Sequence, residues 1–286
     1  MTFMPNIRLS GNHVQARLGE SLTDDQLRRA VPSIFALEPW QQMSERYRFV
    51  PTIQVLDRMR AEGFLPVRAM QGRTRIPGKG EFTRHLIRLR HRSYETDRRF
   101  VGQEFPEIVL LNSHDGTSAY QLFAGIFRLA CLNGLVVESG EIGRIKARHS
   151  GREDLPGQVI EASYEIIEQA PEIMRNVADM KALPLSRAHQ LAFAAAASEL
   201  RDSTLEVEPA ALIDAQRTAD LPEPNGWRDL WRTANVVQEH LIRGGVAARN
   251  AKGERRHTRA VTAAADDVRI NRGLWRLAEE MRKLVA

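Results

Sequence analysis

The spacing of apolar residues changes near Ser150 and Gly151, and this change constrains the fold more than any other feature of the chain. Before it, short apolar runs alternate with polar positions or end at glycine and proline, which is typical of strands. After it, apolar residues recur every three or four positions in segments that prolines separate, which is typical of helices. The sequence therefore predicts an α+β protein, with a strand-rich N-terminal half of basic strands and packed helices and a mainly α-helical C-terminal half.

Three parts are predicted along the chain. Residues 1–31 form a flexible N-terminal arm, because they carry few large apolar side chains that would anchor them. Residues 32–150 form an α+β domain of basic strands, and residues 151–286 form a helical domain. The length of 286 residues allows one large domain or two.

The N-terminal half is predicted to alternate helices and strands. Thr52 is expected to cap a helix that Gly63 ends, and strands follow at 64–70, 82–92 and 107–111, then a helix at 118–132 and strands at 135–138 and 142–149. The helix at 118–132 is predicted from apolar residues at three- to four-residue spacing, namely Tyr120, Phe123, Phe127 and Cys131. Asn133 and Gly134 are expected to end it.

The C-terminal half is predicted to be a set of helices. They are expected at 159–180, 186–201, 209–218, 227–242 and 267–284. Trp227, Trp231 and Trp275 fall on these helices among apolar neighbours, which favours packing in a core or an interface over base stacking.

Composition narrows the class of protein. Hydrophobic residues make up 43% of the chain and charged residues 27%, which argues against wholesale disorder. No apolar run is long enough to span a bilayer and no signal-peptide layout is present, so we expect a cytoplasmic protein without membrane association. The single Cys131 rules out a disulfide framework and a Cys-based zinc site. Because no metal-ligand pair, phosphate-binding loop or nucleophile elbow occurs, neither a metal nor a cofactor is predicted.

Positive charge is concentrated in a few segments, although the formal net charge is only +5. Strand alternation places Arg84, Arg88, Arg90 and Arg92 on one face of the strand at 82–92, which is therefore mostly cationic. Such a face is either an outer face in solvent or a surface that binds phosphates, and both interpretations stay open. The candidate nucleic-acid-binding residues are Arg73, Arg75, Lys79, Arg84, Arg88, Arg90, Arg92, Arg144, Lys146, Arg148, Arg249, Lys252, Arg255 and Arg256.

The densest polar segment is a possible functional turn made of Asn112, Ser113, His114, Asp115, Gly116 and Thr117. His114 and Asp115 are neighbours, so in an extended backbone their side chains point to opposite faces and cannot work as one catalytic dyad. The pattern favours a turn made by Asp115 and Gly116 and a helix cap from Thr117 or Ser118. A phosphate site at the N-terminus of the following helix is the functional alternative.

Four segments carry a resemblance to a known family. They run from Arg46 to Thr52, from Asn112 to Tyr120, from Arg128 to Leu135 and from Asn271 to Trp275. Together they resemble the phage- and plasmid-like family built on a domain of unknown function of the nine-three-two type, from about Pro32 to the C-terminus. The resemblance implies a setting in prophages, plasmids and integrated elements, where DNA transactions and evasion of host defence are common tasks.

The predicted order of helix, three strands and helix is also similar to the core of phage single-strand annealing proteins, an analogy of fold. It implies a cationic groove for single strands on an oligomer. The sequence shows no obvious row of aromatic residues interleaved with the arginines, a feature that sequence-tolerant single-strand binding often uses.

These observations favour a nucleic-acid-binding protein of a mobile genetic element that binds single-stranded DNA, for annealing or protection, as a possible homo-oligomer and without catalysis. Two alternatives stay open. One is a metal-dependent nuclease or hydrolase centred on His114 and Asp115. The other is a protein-binding inhibitor of host defence.

Overall fold

The computed structural model describes most of the chain. It covers residues 12–17, 19–44, 47, 49–93, 104–128, 133–137, 144–147, 154–201, 204–214 and 228–285, and for 127–147 it describes the backbone alone.

The N-terminal half builds a seven-stranded antiparallel sheet. Its strands are β1 (His13–Gln15), β2 (Phe64–Gln71), β3 (His85–His91), β4 (Glu104–Asn112), β5 (Tyr120–Arg128), β6 (Asn133–Val137) and β7 (Arg144–Ala147). They pair in sequence order from β1 to β6, and β7 pairs with the first part of β5. The strands predicted at 64–70 and 107–111 are confirmed, and those near 135–138 and 142–149 correspond to β6 and β7.

Six helices and several short elements complete the described fold. The helices are α1 (Asp24–Ala30), α2 (Thr52–Ala61), α3 (Leu155–Ala182), α4 (Arg187–Ser198), α5 (Leu230–Arg243) and α6 (Ala264–Val285), with 3₁₀ turns at Pro32–Phe35, Lys79–Phe82 and Pro209–Leu212. Two small sheets join β8 (Pro184–Leu185) to β10 (Arg228–Asp229), and β9 (Glu206–Val207) to β11 (Ala247–Arg249) and β12 (Arg255–His257). The α+β fold class, with a mainly helical C-terminal half, is confirmed.

The sheet is covered on both faces. Ile87, Leu110 and Leu122 lie in the main core, which also contains apolar residues of α2, α3 and α5. Leu86 and Phe123 point to the opposite face and cluster with residues of α6. Helix α6 therefore covers the face of the sheet on which the arginines of β3 lie.

The helix predicted at 118–132 is wrong, because Tyr120–Arg128 is strand β5 and pairs with β4 along its length. Tyr120 and Leu122 face the main core while Phe123 faces the second cluster. A strand buried on both faces is apolar at nearly every position, so its residues also fit a helical spacing. Asn133 and Gly134 therefore begin β6 instead of ending a helix, and Cys131 lies outside the described residues.

The described part of the predicted N-terminal arm is packed on the body of the protein. Strand β1 pairs with β2, and Val14 is fully buried. Helix α1 starts with a capping box between Thr23 and Gln26 and buries Leu27. The segment packs on the protein with few apolar side chains, because backbone pairing of β1 and the cap of α1 also hold it in place. Residues 1–11 lie outside the described chain.

The two halves share one hydrophobic core. Leu110 and Leu122 of the sheet belong to the same cluster as Val159 of α3 and Trp231 of α5. The boundary predicted at 150 and 151 lies at residues outside the described chain. The division into two domains stays a prediction.

The C-terminal helices lie close to their predicted positions, with α3, α4, α5 and α6 confirmed. The segment predicted at 209–218 forms only the 3₁₀ turn Pro209–Leu212 within its described part. Trp231 and Trp275 are buried and pack edge to face, with ring centroids 6.5 Å apart, as expected for core residues; Trp227 lies outside the described chain. None of the described helices has the length and apolar character needed to cross a membrane.

Candidate functional site

Three segments that are distant in sequence meet at one end of the sheet. They are residues 36–44, the basic loop 72–84 and the turn 112–117 that the sequence singles out. The backbone N–H of Trp40 donates to the carbonyl of His114 at 2.9 Å, and the N–H of His114 donates to the carbonyl of Phe82 at 3.0 Å. The turn thus joins the other two segments through its backbone.

A buried polar cluster lies beneath this turn, centred on the hydroxyl of Thr52. Its Oγ1 atom lies 2.9 Å from Nε2 of His85, 3.0 Å from Nε2 of His114, 3.0 Å from Nδ2 of Asn112 and 3.2 Å from the hydroxyl of Tyr120. All five side chains are fully buried. We call this set the Thr52 cluster.

The role predicted for Thr52 as a helix cap is wrong. Helix α2 begins at Thr52 with Pro51 in the cap position, and no side chain caps it. The hydroxyl is turned to the sheet instead, where four polar groups surround it. Proline in the cap position keeps the chain extended before the helix, so Thr52 enters the first turn facing the core.

The protons of the Thr52 cluster can be assigned from its partners. Nδ1 of His85 lies 3.1 Å from the carbonyl of Thr83, which only accepts, so the ring proton is on Nδ1 and Nε2 accepts. Thr52 has one proton and donates it to that Nε2. Its two lone pairs then accept from Nδ2 of Asn112 and from a protonated Nε2 of His114. The two histidines therefore hold opposite neutral tautomers.

Burial lowers the pKa of His85 to about 4, against the opposing effects of the Thr83 carbonyl and the charge of Asp115. A proton added at Nε2 would face the hydroxyl proton of Thr52. The cluster is therefore built for a neutral His85 at ordinary pH.

Asp115 has a separate set of partners at the surface of the turn. Its carboxylate accepts from the Thr117 hydroxyl at 2.6 Å and the Thr117 N–H at 3.1 Å, and it pairs with Nζ of Lys79 at 3.2 Å. Burial raises the pKa of this carboxyl, but the hydrogen bonds from Thr117, Lys79 and Ser113 outweigh burial and lower its pKa. Gly116 completes the turn with a φ of +75°.

The turn prediction is confirmed, but the helix cap predicted at Thr117 or Ser118 is wrong, because a strand follows. His114 contacts Thr52 in the buried cluster, whereas Asp115 contacts Thr117 and Lys79. Tyr47 closes this side by donating its hydroxyl to the Ser113 carbonyl at 3.2 Å. Burial, followed by the charge of Asp115, raises the pKa of Tyr47 to about 12.

The basic loop 72–84 contributes cations to the same end of the sheet. Arg73 and Arg75 are exposed, whereas Lys79 is engaged with Asp115. Arg84 donates to the backbone carbonyl of Thr117. Two of the four candidate residues of the loop, Lys79 and Arg84, thus support the turn, and the other two are exposed on the loop.

The prediction that Arg88 and Arg90 lie on an open cationic face is wrong. Both side chains are buried with two acidic residues, which we call the buried ion cluster: Arg88, Arg90, Glu107 and Asp267. Arg90 donates to Glu107 at 2.7 Å, while Arg88 lies 3.5 Å from Glu107 and 3.9 Å from Asp267. Alternation places the arginines correctly on one face, but α6 covers that face and brings Asp267.

The second basic run forms an exposed hairpin between β11 and β12, which we call the basic hairpin (residues 247–257). Its backbone pairs Ala247 with His257 and Arg249 with Arg255. Every candidate residue on it is exposed, namely Arg249, Lys252, Arg255 and Arg256. Its carboxylate, Glu254, pairs with Arg256 at 2.5 Å.

The remaining candidates are scattered. Arg92 is exposed beside Gly63 at the far end of β3. Arg144 and Lys146 lie on β7 at positions of the same parity, but their side chains and Arg148 lie outside what the structure describes. Arg88 and Arg255, whose relation the sequence left open, do not share a surface, because Arg88 is 1% exposed.

Sequence reasoning missed Thr52, His85 and Tyr120 as partners of the turn, and it missed Trp40. The only signal for the first three was a polar residue at a position that faces the core. No such signal exists for Trp40, whose position depends on backbone bonds to a distant turn. Within the described ranges, no three His, Cys, Asp or Glu side chains converge closely enough to hold a metal ion.

Comparison with known proteins places the chain among relatives of similar length. The family model for a domain of unknown function, DUF932, matches residues 39–275. Two proteins of Escherichia coli (strain K12), UPF0380 protein YafZ and UPF0380 protein YfjQ, are 42% and 41% identical to the chain over 267 residues, which is 93% of this chain and 93% of each relative. No solved structure matches the chain.

Proposed function

The chain belongs to the family of the domain of unknown function DUF932, and we propose that it is a nucleic-acid-binding protein of a mobile genetic element that binds single-stranded DNA. The observation that carries the proposal is the basic hairpin. It presents Arg249, Lys252, Arg255 and Arg256 to solvent with Glu254 as its carboxylate. The setting in a mobile element is an expectation from the sequence resemblance.

The basic hairpin suits phosphates for two reasons. Arginine offers a fixed fork of donors that matches phosphate oxygens, and three of the four cations are arginines. The strand pairing between β11 and β12 holds these side chains on a defined ribbon, and β9 pairs with the other edge of β11. A ribbon of this kind loses less conformational freedom on binding than an unpaired loop of the same composition would lose.

The buried ion cluster also bears on the proposal, because it removes Arg88 and Arg90 from the contact surface. Arg88 pairs with Glu107 and Asp267, and Arg90 pairs with Glu107, inside the protein. Among the candidate cations whose side chains the structure describes, those of the basic hairpin, the exposed part of the loop 72–84 and Arg92 remain at the surface.

The test is a binding measurement with labelled single-stranded and duplex DNA across a range of salt concentrations. The test variant replaces Arg249, Lys252, Arg255 and Arg256 with Gln, and the control variant replaces four exposed cations on helices, Arg58, Arg187, Arg276 and Lys283, with Gln. We expect the hairpin variant alone to bind single strands more weakly and to flatten the salt slope by roughly 0.7 for each phosphate that it no longer neutralises.

Two outcomes would overturn the proposal. The first is a wild-type protein that binds no DNA, and the second is a hairpin variant that matches the control in affinity and salt slope. Each measurement is made with and without magnesium, since magnesium-dependent loss of the labelled strand would support the nuclease alternative instead.

A further inference from the structure

The geometry points to a second part of the binding surface, a stacking platform for unpaired bases formed by Trp40 and Phe82 at the end of the sheet, with Ile76 exposed on the loop that leads to Phe82. This inference rests on the proposed function, and it names the class of contact that the basic hairpin does not supply. Single-strand binders combine cations for the backbone with aromatic faces for the bases. The structure brings both kinds of group to the loop 72–84.

Each of the two segments that carry the platform rings also has an exposed apolar side chain. Ile76 is 52% exposed at the tip of the loop, and Leu37, which precedes Trp40, is 73% exposed. Trp40 and Phe82 are half-buried, with ring centroids 5.4 Å apart and ring planes at 55°. Because the two rings meet at a tilt, neither covers the full face of the other.

The cations near the platform are exposed, whereas Arg88 and Arg90 are buried. Arg73 and Arg75 are exposed on the loop that carries Ile76, and within the described chain no carboxylate pairs with either of them. Lys79, by contrast, is taken by Asp115. The guanidinium groups are thus available for phosphates next to an apolar tip, which is the charge pattern that a single strand complements.

The platform is preassembled. The backbone of His114 bonds to both Trp40 and Phe82, so the two rings are held by one turn. That turn rests on the Thr52 cluster, and Gly116 packs against Met43 of the Trp40 segment. A surface that is ordered before binding loses less conformational entropy when a ligand arrives. The burial of five polar side chains in and beneath a short surface turn is explained if the turn has to hold a surface in place.

Unpaired bases fit this platform better than a duplex does. In a duplex the faces of the bases are stacked on one another, and exposing one costs unstacking energy. In a single strand those faces are available to aromatic and apolar side chains. The platform therefore accounts for a preference for single strands, which the cations alone do not provide.

The test compares two ligands of equal charge, an oligothymidine and an abasic oligonucleotide of the same length. The wild-type protein is expected to bind the oligothymidine more tightly. Trp40→Ala is expected to weaken oligothymidine binding by roughly tenfold for each base that no longer stacks on the platform, while leaving abasic binding unchanged. Ile76→Ser, on the loop that leads to Phe82, is expected to weaken oligothymidine binding less than Trp40→Ala does. Trp40→Phe should retain most of the difference, and Leu284→Ser, at an apolar position that is 82% exposed on α6, should have no effect.

The outcomes separate this inference from the proposed function. A wild-type protein that binds both ligands equally overturns the platform but leaves the proposed function intact, whereas a protein that binds neither ligand overturns both. Photo-cross-linking of wild-type protein to an iododeoxyuridine strand gives a test that does not depend on a folded Trp40 variant. Cross-links at Trp40 or Phe82 would support the platform, and cross-links confined to 247–257 would overturn it.

Discussion

At the scale of single residues, the hydroxyl of Thr52 organises the candidate site. It uses one proton and two lone pairs on three partners, so its hydrogen-bonding capacity is filled. Buried polar groups that lose a partner cost far more than the bond itself gains, because the remaining group stays without solvent. A single substitution at this position therefore tests whether the cluster supports the turn.

Replacing Thr52 with Val keeps the shape of the side chain but removes the hydroxyl. We expect the free energy of unfolding to fall by at least about 2 kcal/mol, since donors of Asn112 and His114 and the acceptor of His85 lose their common partner. Thr52→Ser, which keeps the hydroxyl, is the control and should cost about 1 kcal/mol or less. Denaturant unfolding of both variants measures the difference, and equal costs would show that the hydroxyl is not the reason for the polar surroundings.

The lowered pKa of His85 predicts how stability depends on pH. The unfolded chain takes up a proton at this histidine near its usual pKa of 6.5, whereas the folded protein does so only near about 4. The stability that the neutral ring provides is therefore complete above pH 6.5 and is lost as the pH falls towards 4, a decrease of about 3 kcal/mol. Unfolding measured across this range should show the decrease in wild type and in His257→Gln, an exposed control, but much less of it in His85→Gln. If the free energy of unfolding fell equally with pH in all three proteins, His85 would not be the cause of the decrease.

Only some of the residues of the candidate site could be predicted from the sequence. The turn at 112–117 was recognisable because Asp and Gly at its centre make a local backbone requirement. The contact between His114 and Thr52 was not recognisable, because Thr52 reaches His114 only when α2 packs against the sheet. A threonine at the start of a helix commonly caps it. The hydroxyl of Thr52 instead bonds to side chains of the sheet.

At the scale of elements, strand β3 shows what alternation predicts and what it leaves open. The parity of Arg88 and Arg90 follows from the strand period, and the structure agrees with it. Whether that face meets solvent depends on α6, which comes from the far end of the chain. The sequence around an arginine on a strand does not show whether a carboxylate from a distant segment will pack against it. An exposed cationic face and a buried ion cluster therefore have the same local sequence pattern.

The buried ion cluster predicts a large effect of one neutral substitution. Glu107→Gln removes the carboxylate that Arg88 and Arg90 share, at a site where the three side chains are between 0% and 10% exposed. Breaking a buried ion pair from one side is expected to destabilise the protein by about 3–5 kcal/mol. The exposed pair of Arg187 and Asp214 provides the control, because Asp214→Asn should cost about 1 kcal/mol or less. Similar melting temperatures for the two variants would mean that water reaches the buried arginines and replaces the carboxylate.

Strand β5 shows the complementary error of reading a helix from spacing. Both of its faces are buried, so apolar residues occur at nearly every position, and a subset of them matches the helical period by chance. The nine-residue length of the strand and its β-branched and aromatic content are the only local features that argue for a strand. The four helices from α3 to α6 were easier to recognise, because each is at least twelve residues long and lies between prolines or polar breaks.

At the scale of the whole molecule, the C-terminal helices complete the core of the N-terminal sheet. Leu110, Leu122 and Ile126 of the sheet face the same core as Val159 and Ile166 of α3. On the other face, Phe123 and Val109 cluster with Val268 of α6. A sheet that depends on helices on both faces has apolar surfaces on both sides when the helices are removed.

A fragment of residues 1–150 is therefore expected to be poorly soluble and to melt without a cooperative transition. The physical reason is that it keeps β1 to β7 and α2 but loses α3, α5 and α6, which cover Leu122 on one face and Phe123 on the other. A fragment of residues 12–286 is the matched control, since it removes chain without removing any of these helices, and it should melt like the full protein. The measurements are sedimentation and thermal unfolding by circular dichroism. A monomeric 1–150 fragment with a cooperative melt would show that the sheet is an independent domain. The platform at the end of β3 and the basic hairpin near α6 would then be two separate modules, because the shared core between the halves would not be needed to hold the sheet together.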